Sequence, residues 1–217
     1  MAGTIADIAY RRGDYDEALR IRREVQLPVY ERLGDTRKAA VTWGQIADIA
    51  YDRGDYDEVL RIRREVQLPV YERLGDTRKA AVTWGQIADI AYLRGDHDQA
   101  AELQHKRLAA SRQLGDLDGI AAASWDLARI DLDRHDYQSA YDQMTEAFQI
   151  FTRLQRPDGI AAVGLSLGEL LIAAHEHDQA RQVLTAALAA AAKIGWTGQV
   201  QQISSLLTHL PGTQEQT

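Results

Sequence analysis

The chain contains a long, nearly identical internal repeat. Residues 5–45 read IADIAYRRGDYDEALRIRREVQLPVYERLGDTRKAAVTWGQ, and residues 46–86 return the same sequence with two substitutions. A third copy begins at Ile87 and then diverges. A period of roughly 20–50 residues is typical of solenoids and propellers, in which each unit buries its apolar face against its neighbours. The repeat therefore predicts one continuous array of supersecondary units.

Each unit is predicted to be a pair of helices, because glycine-aspartate steps recur at both ends of every helical segment. They stand at Gly34-Asp35, Gly54-Asp55 and Gly75-Asp76. Glycine supplies the left-handed residue that ends a helix, and the aspartate side chain accepts from free N–H groups at the next start. His135 and His175 replace the glycine in later units, and histidine is one of the residues that tolerate a positive φ.

The first helix of the complete unit has a single apolar face at helical spacing, which is expected to be its packing face. The residues are Ala39, Trp43, Ile46, Ala47 and Ala50.

Pro28 and Pro69 fall inside the predicted second helices, where proline costs about 3 kcal/mol. The stretch between successive glycines is one residue longer in a unit with such a proline than in the third unit, which has none. We therefore expect a wide turn or kink around Glu24–Pro28 and Glu65–Pro69.

The pattern W-G-Q-I-A-D-I-A-Y-x-R-G-D-Y-D-E-A resembles the tetratricopeptide repeat (TPR). The step of 40–41 residues exceeds the usual repeat of about 34 and is similar to kinesin-light-chain-like and bacterial long-repeat arrays. The resemblance implies an all-α, right-handed α-solenoid of antiparallel helix hairpins, with about five TPR-like units. We expect a single domain over 1–210, closed by a capping helix at Thr197–His209, and a flexible C-terminal tail at 211–217.

Composition excludes several classes of function. The net charge of −7 and the pI near 5.4 disfavour a nucleic-acid partner, which needs a basic footprint. The absence of cysteine rules out disulfides, thiolate zinc sites and thiol nucleophiles. No apolar run approaches the roughly 20 residues that span a bilayer, so no membrane partner is expected. A cytoplasmic location is the default expectation.

Repetition aligns the polar faces of the first helices into a ladder of aspartate and tyrosine. In the family that the chain resembles, first helices line a concave groove for extended peptides or partner helices. Carboxylates favour cations and tyrosine offers stacking and a hydroxyl, so the implied partner is a protein or peptide segment with basic and apolar or aromatic side chains. The candidate partner-binding residues are Asp7, Tyr10, Gly44, Asp48, Tyr51, Asp52, Gly85, Asp89, Tyr92, Trp125, Arg129, Leu132 and Glu169.

Two alternatives remain for these side chains and for their basic neighbours. The ladder is equally consistent with a solvated face whose tyrosines pack between neighbouring units. The arginines at 20, 22 and 23, repeated at 61, 63 and 64, form a basic ridge that we interpret chiefly as a solvated face, with an acidic partner as the alternative. A carboxylate clamp of the co-chaperone type is not expected, because the matching positions carry glycine, aspartate and leucine.

No catalytic constellation is apparent, because the aspartates repeat with the scaffold and no nucleophile elbow or phosphate-binding glycine loop occurs. His175 and His177, with His135 one unit earlier, are a weak metal signal without a further ligand. We therefore predict a non-enzymatic protein–protein interaction scaffold that holds no cofactor and no metal.

Other functions fit the same sequence. The first helix looks shortened relative to its copies, so the chain could instead be a self-assembling module, natural fragment or engineered array, that docks through its amino end. A sensor arm of a larger bacterial signalling protein is a further alternative.

Overall fold

A computed structural model describes residues 2–211, and every regular element in that range is a helix. The described chain forms two compact units, one within Met1–Ala110 and one within Ser111–Thr217. Of the expected flexible tail at 211–217, all but Pro211 lies outside the described residues. A single continuous domain over 1–210 stays a prediction.

In the first two helical hairpins of the first unit, a first helix packs on a composite second helix. Each composite helix has a π-helical segment between two short α-helices. The elements are α1 (Ala2–Arg11), α2 (Tyr15–Arg20), π1 (Ile21–Gln26), α3 (Leu27–Arg32), α4 (Thr36–Asp52), α5 (Tyr56–Arg61), π2 (Ile62–Gln67), α6 (Leu68–Arg73) and α7 (Thr77–Leu93), followed by α8 (His97–Leu114), whose last turn falls in the second unit.

The second unit is built from regular helices, in which α9 packs on α10, α11 on α12, and α13 on α12. The predicted class, all-α with helix hairpins of the TPR type, is confirmed. A helix at Thr197–His209 is present as expected, and its Ile203 is fully buried. The elements are α9 (Leu117–Asp133), α10 (Tyr137–Arg153), α11 (Pro157–Ala173), α12 (His177–Lys193) and α13 (Thr197–His209).

The predicted turn chemistry is confirmed. The Asp35 carboxylate accepts from the Lys38 N–H at 3.0 Å, and Asp55 accepts from the Glu58 N–H at 3.1 Å. His135 and His175 both stand at φ 61°, the left-handed conformation that glycine adopts in the turns of unit 1 and Gln155 adopts at φ 53°.

The predicted packing face of α4 is also confirmed. Ile46 and Ala47 are fully buried, and Trp43 packs partly buried against the same cluster. Small alanine side chains on this face let the neighbouring helices approach closely, while isoleucine fills the space between them.

The wide turn predicted beside the prolines is present, but it begins earlier than expected. The π-helical segment π1 starts at Ile21, three residues before Glu24, and π2 starts at the equivalent Ile62. The Leu27 N–H donates to the Arg22 carbonyl, five residues back. The chain widens ahead of Pro28, which then falls in the first turn of α3, where an α-helix needs no N–H donor.

Candidate binding groove

Three neighbouring pockets lie on the polar side of the first helices of unit 1, and all three include Asp48. Their volumes are about 320, 350 and 160 Å³. We call them the first, second and third pockets of the Asp/Tyr groove. The first is lined by Asp7, Tyr10, Arg11, Arg22, Gln45 and Asp48, the second by Tyr10, Asp48, Tyr51, Asp52, Arg63, Gln86 and Asp89, and the third includes Gly44, Gln67, Tyr71 and Lys79.

The floor of this groove is a buried arginine. The side chain of Arg63 is 5% exposed, and its Nη2 donates to the Asp48 carboxylate at 2.7 Å. Its Nη1 donates to the Gln67 side chain at 3.0 Å, while its Nε has no hydrogen-bond partner among the described residues. A guanidinium this deeply buried requires a counter-charge, which Asp48 supplies from a half-exposed position.

The preceding repeat has the same arrangement. Arg22 is 3% exposed and its Nη2 donates to Asp7 at 2.8 Å, while its Nη1 contacts Gln26 and Gln45. The expectation of a solvated arginine ridge is therefore wrong at Arg22 and Arg63. Both lie inside π-helical segments.

The two glycines among the candidate groove residues are buried. A Cβ built on Gly44 would stand 2.3 Å from the Gln67 Nε2, which itself donates to the Ala40 carbonyl at 3.1 Å. A Cβ on Gly85 would stand 2.8 Å from the Arg107 Nη1. The glycines therefore admit polar side chains of the second helices under the groove and present no side chain of their own.

Tyrosine and aspartate contact each other across the two near-identical repeats. The Tyr10 hydroxyl donates to the Asp52 carboxylate at 2.7 Å. This hydrogen bond, with burial and the charges of Asp52 and Asp48, raises the pKa of Tyr10 to about 12. Tyr51 is 40% exposed, and burial is the main cause that raises its pKa. Its ring centroid lies 5.5 Å from that of Tyr56.

Asp89 and Tyr92 continue the ladder on α7. Asp89 is exposed and borders the second pocket. Tyr92 is partly buried, with its ring centroid 5.3 Å from that of His97.

The remaining candidate residues belong to unit 2. Trp125 and Leu132 pack partly buried against the core of that unit. Arg129 lies 3.8 Å from the Asp126 carboxylate, and Glu169 accepts from Gln202 at 2.9 Å.

The sequence pattern missed the residues that build the groove floor. Two signals were available: the extra residue beside each proline, which accompanies the inward arginine of the ridge, and Gly44 on the facing helix, which leaves room for Gln67. The missed residues are Arg22, Gln26, Gln45, Arg63, Gln67 and Gln86.

His175 and His177 of unit 2 lie close together without forming a metal cluster. The ring centroids of His175 and His177 are 5.9 Å apart, in an edge-to-face arrangement. Within residues 2–211, no three side chains of histidine, aspartate or glutamate are grouped to hold a metal ion. No helix in the same range is long and apolar enough to cross a membrane.

Solved structures of repeat proteins share this fold at low sequence identity. Apo RapI is 12% identical with a TM-score of 0.83 over 99% of this chain and 77% of its own. A Rap protein complexed with competence and sporulation factor is 16% identical, with a TM-score of 0.74 over 93% of this chain. A putative kinesin light chain of nearly identical TPR-like repeats from Podospora anserina is 15% identical, with a TM-score of 0.66 over 89% of this chain and 94% of its own.

These likenesses show a TPR-like fold. This chain spans 56% of the length of the Rap protein in that complex. No family model and no curated protein sequence matches the chain.

Proposed function

We propose that the chain is a non-enzymatic binding scaffold whose Asp/Tyr groove takes an extended protein or peptide segment with basic side chains. The observation that carries the proposal is the second pocket. Its lining includes three carboxylates, those of Asp48, Asp52 and Asp89, and one guanidinium, that of Arg63, so acidic side chains outnumber basic ones there. Tyr10 and Tyr51 flank the acidic groups and offer rings to a cation.

The Rap protein solved with competence and sporulation factor supports this kind of use, since its structure contains a bound factor on a similar fold. The charges in the second pocket also indicate where a basic side chain of the partner would bind. Asp48 is half-exposed and paired with Arg63, whereas Asp52 and Asp89 are both exposed and line the same pocket, so their carboxylates are the ones that an incoming cation can reach. One lysine or arginine of the partner between these two carboxylates would balance half of the excess negative charge of the lining.

The test is binding to an immobilised array of short peptides with and without lysine and arginine. The double variant Asp52→Asn and Asp89→Asn removes two charges and leaves the Asp48–Arg63 pair intact. Because both acids act through charge, we expect at least a tenfold loss of affinity for the basic peptides and a weaker dependence on salt.

The matched control is Glu24→Gln with Glu65→Gln, which removes the same net charge from exposed positions of π1 and π2. This control should bind as the parent chain does. Equal binding of basic peptides and their glutamine-substituted counterparts, or equal losses in both double variants, would show that the groove does not select basic segments.

A further inference from the structure

The chain shows twice how the outer apolar face of a first helix is covered. Ile49 of α4 is fully buried in a cluster with Ala18 and Leu19 of the preceding second helix. Ile90 of α7 is fully buried in a cluster with Val59 and other side chains of its preceding second helix. In both places the same isoleucine of the repeat meets the second helix of the unit before it.

The equivalent face of α1 is exposed. Ile8, which matches Ile49 at a step of 41 residues, is 46% exposed. Ile5, which matches the fully buried Ile46, is 50% exposed. Two isoleucines one helical turn apart thus leave an apolar strip on α1 that the chain buries in each of its other copies.

In the other repeats, an arginine beside the equivalent apolar face forms an ion pair with the preceding second helix. Arg53, next to the buried face of α4, donates to Asp16 of the preceding second helix at 2.6 Å and stacks 5.6 Å above the ring of Tyr15. Arg94 makes the same ion pair with Asp57 at 2.6 Å. Arg12 is the equivalent of Arg53 beside α1, and it is exposed. Its guanidinium can therefore pair with an acidic side chain in the first turn of an incoming helix.

We propose that Ile5, Ile8 and Arg12 form a docking site for an amphipathic helix with the chemistry of this chain's own second helices. Such a helix carries an aspartate in its first turn for Arg12, followed by alanine and leucine for the two isoleucines, as Asp16, Ala18 and Leu19 do. Recognition combines burial of the isoleucines with the charge of the arginine. The site is separate from the Asp/Tyr groove and does not depend on the function proposed for it.

The probe is a fluorescent peptide with the sequence of residues 14–34, titrated with the full chain and followed by anisotropy. We expect saturable binding that Ile5→Glu with Ile8→Glu weakens at least tenfold. Leu19→Glu in the peptide should have the same effect. The control Leu93→Glu changes a residue of α7 that is 53% exposed and occupies the position of Asp52 in the repeat, so it should not alter the affinity.

Short isolated helices are marginally stable, so a second measurement uses the same segment tethered to the amino end through a glycine-serine linker. The tethered chain should melt at a higher temperature than the parent, and Leu19→Glu within the tether should remove the increase. Equal peptide binding by the Ile5/Ile8 double variant would overturn the proposal. So would a parent chain that neither binds the peptide nor gains thermal stability from the tether.

A third result would also overturn it. If the parent elutes at twice its monomer mass by light scattering and does not bind the peptide, while the Ile5/Ile8 double variant elutes as a monomer, a second copy covers the face.

Discussion

The two units build the same helical hairpin around different interiors. In unit 1 a buried position of the second helix holds Arg22, Arg63 and then Gln104. In unit 2 the repeat places Met144 and Leu184 there, both fully buried. The hairpin therefore does not need a buried ion pair. Alanine and isoleucine packing suffices to form it, and the arginines of unit 1 are an addition to that framework.

The buried arginines of unit 1 are accompanied by a change in the backbone. The arginines lie in π-helical segments, whereas α10 and α12 run as regular helices through the matching residues. On the facing helix, Asp48 of unit 1 corresponds to Arg129 of unit 2. In the third hairpin Asp89 keeps the carboxylate position, but the regular helix α8 holds Gln104 in place of the arginine. The wide turn and the buried arginine at this position therefore occur together, which indicates that they form one feature.

Moving the arginine into unit 2 should have the largest effect. Met144→Arg buries a guanidinium in a helix that has no wide turn, and the residue equivalent to Asp48 in this repeat is Arg129. An uncompensated buried charge costs about 3–5 kcal/mol, which is a large fraction of the stability of a domain of this size. Urea unfolding followed by tryptophan fluorescence measures the loss, and Trp43→Phe with Trp84→Phe restricts the signal to unit 2.

The control is Met144→Leu, which keeps the site apolar and should cost less than about 1.5 kcal/mol. A Met144→Arg variant as stable as this control would show that the interior of unit 2 accepts a charge, and the contrast between the two units would then have no energetic basis.

Separating the partners of the ion pair in unit 1 should have smaller and unequal effects. Asp48→Ala leaves Arg63 buried without its counter-charge and should cost about 3 kcal/mol. Arg63→Met removes the buried charge and leaves the half-exposed Asp48 hydrated, so we expect a loss of no more than about 1 kcal/mol. Urea unfolding of the two variants against the parent chain checks this order.

Arg61→Met serves as the control for loss of an arginine, because Arg61 is exposed and its ion pair with Glu58 lies within one helical turn. If Arg63→Met proved more costly than Asp48→Ala, the arginine would be holding the hairpin together through its packing.

The fold was predictable because its signals are local and repeated. Glycine-aspartate steps are found at every turn of unit 1. The helical spacing of the apolar residues in α4 predicts which of its faces is buried. The proline and the added residue in each of the two near-identical repeats predicted the wide turns. The start of those turns was placed three residues late, because a proline shows only where the α-helical ladder fails, and the helix can widen anywhere in the turn before it.

The groove was only partly predictable from the sequence. Asp48 and Tyr51 could be placed on a common face by helical spacing, and both line the second pocket. Which arginine turns inwards could not be derived, because Arg61, Arg63 and Arg64 are equivalent until the π-helical turn fixes their directions. A regular α-helix would have rotated the ridge differently against α4.

The smallest expected effect is a change in the titration of Tyr10. It tests the hydrogen bond between Tyr10 and Asp52, which joins the two near-identical repeats. Its pKa of about 12 lies above the ordinary value of 10, so the folded chain holds the proton more tightly than the unfolded chain does. The stability from this contact is complete below pH 10 and is lost as the pH rises towards 12. Absorbance at the phenolate band should show a late-titrating fraction in which Tyr10 has a midpoint of about 12, beside Tyr51 and Tyr71, whose pKa values burial also raises. Asp52→Asn, which removes the accepting carboxylate and its charge, should bring that midpoint down towards 10, whereas Asp57→Asn should leave it unchanged. A late titration that persists in Asp52→Asn would mean that burial, and not the hydrogen bond between the repeats, holds the Tyr10 proton.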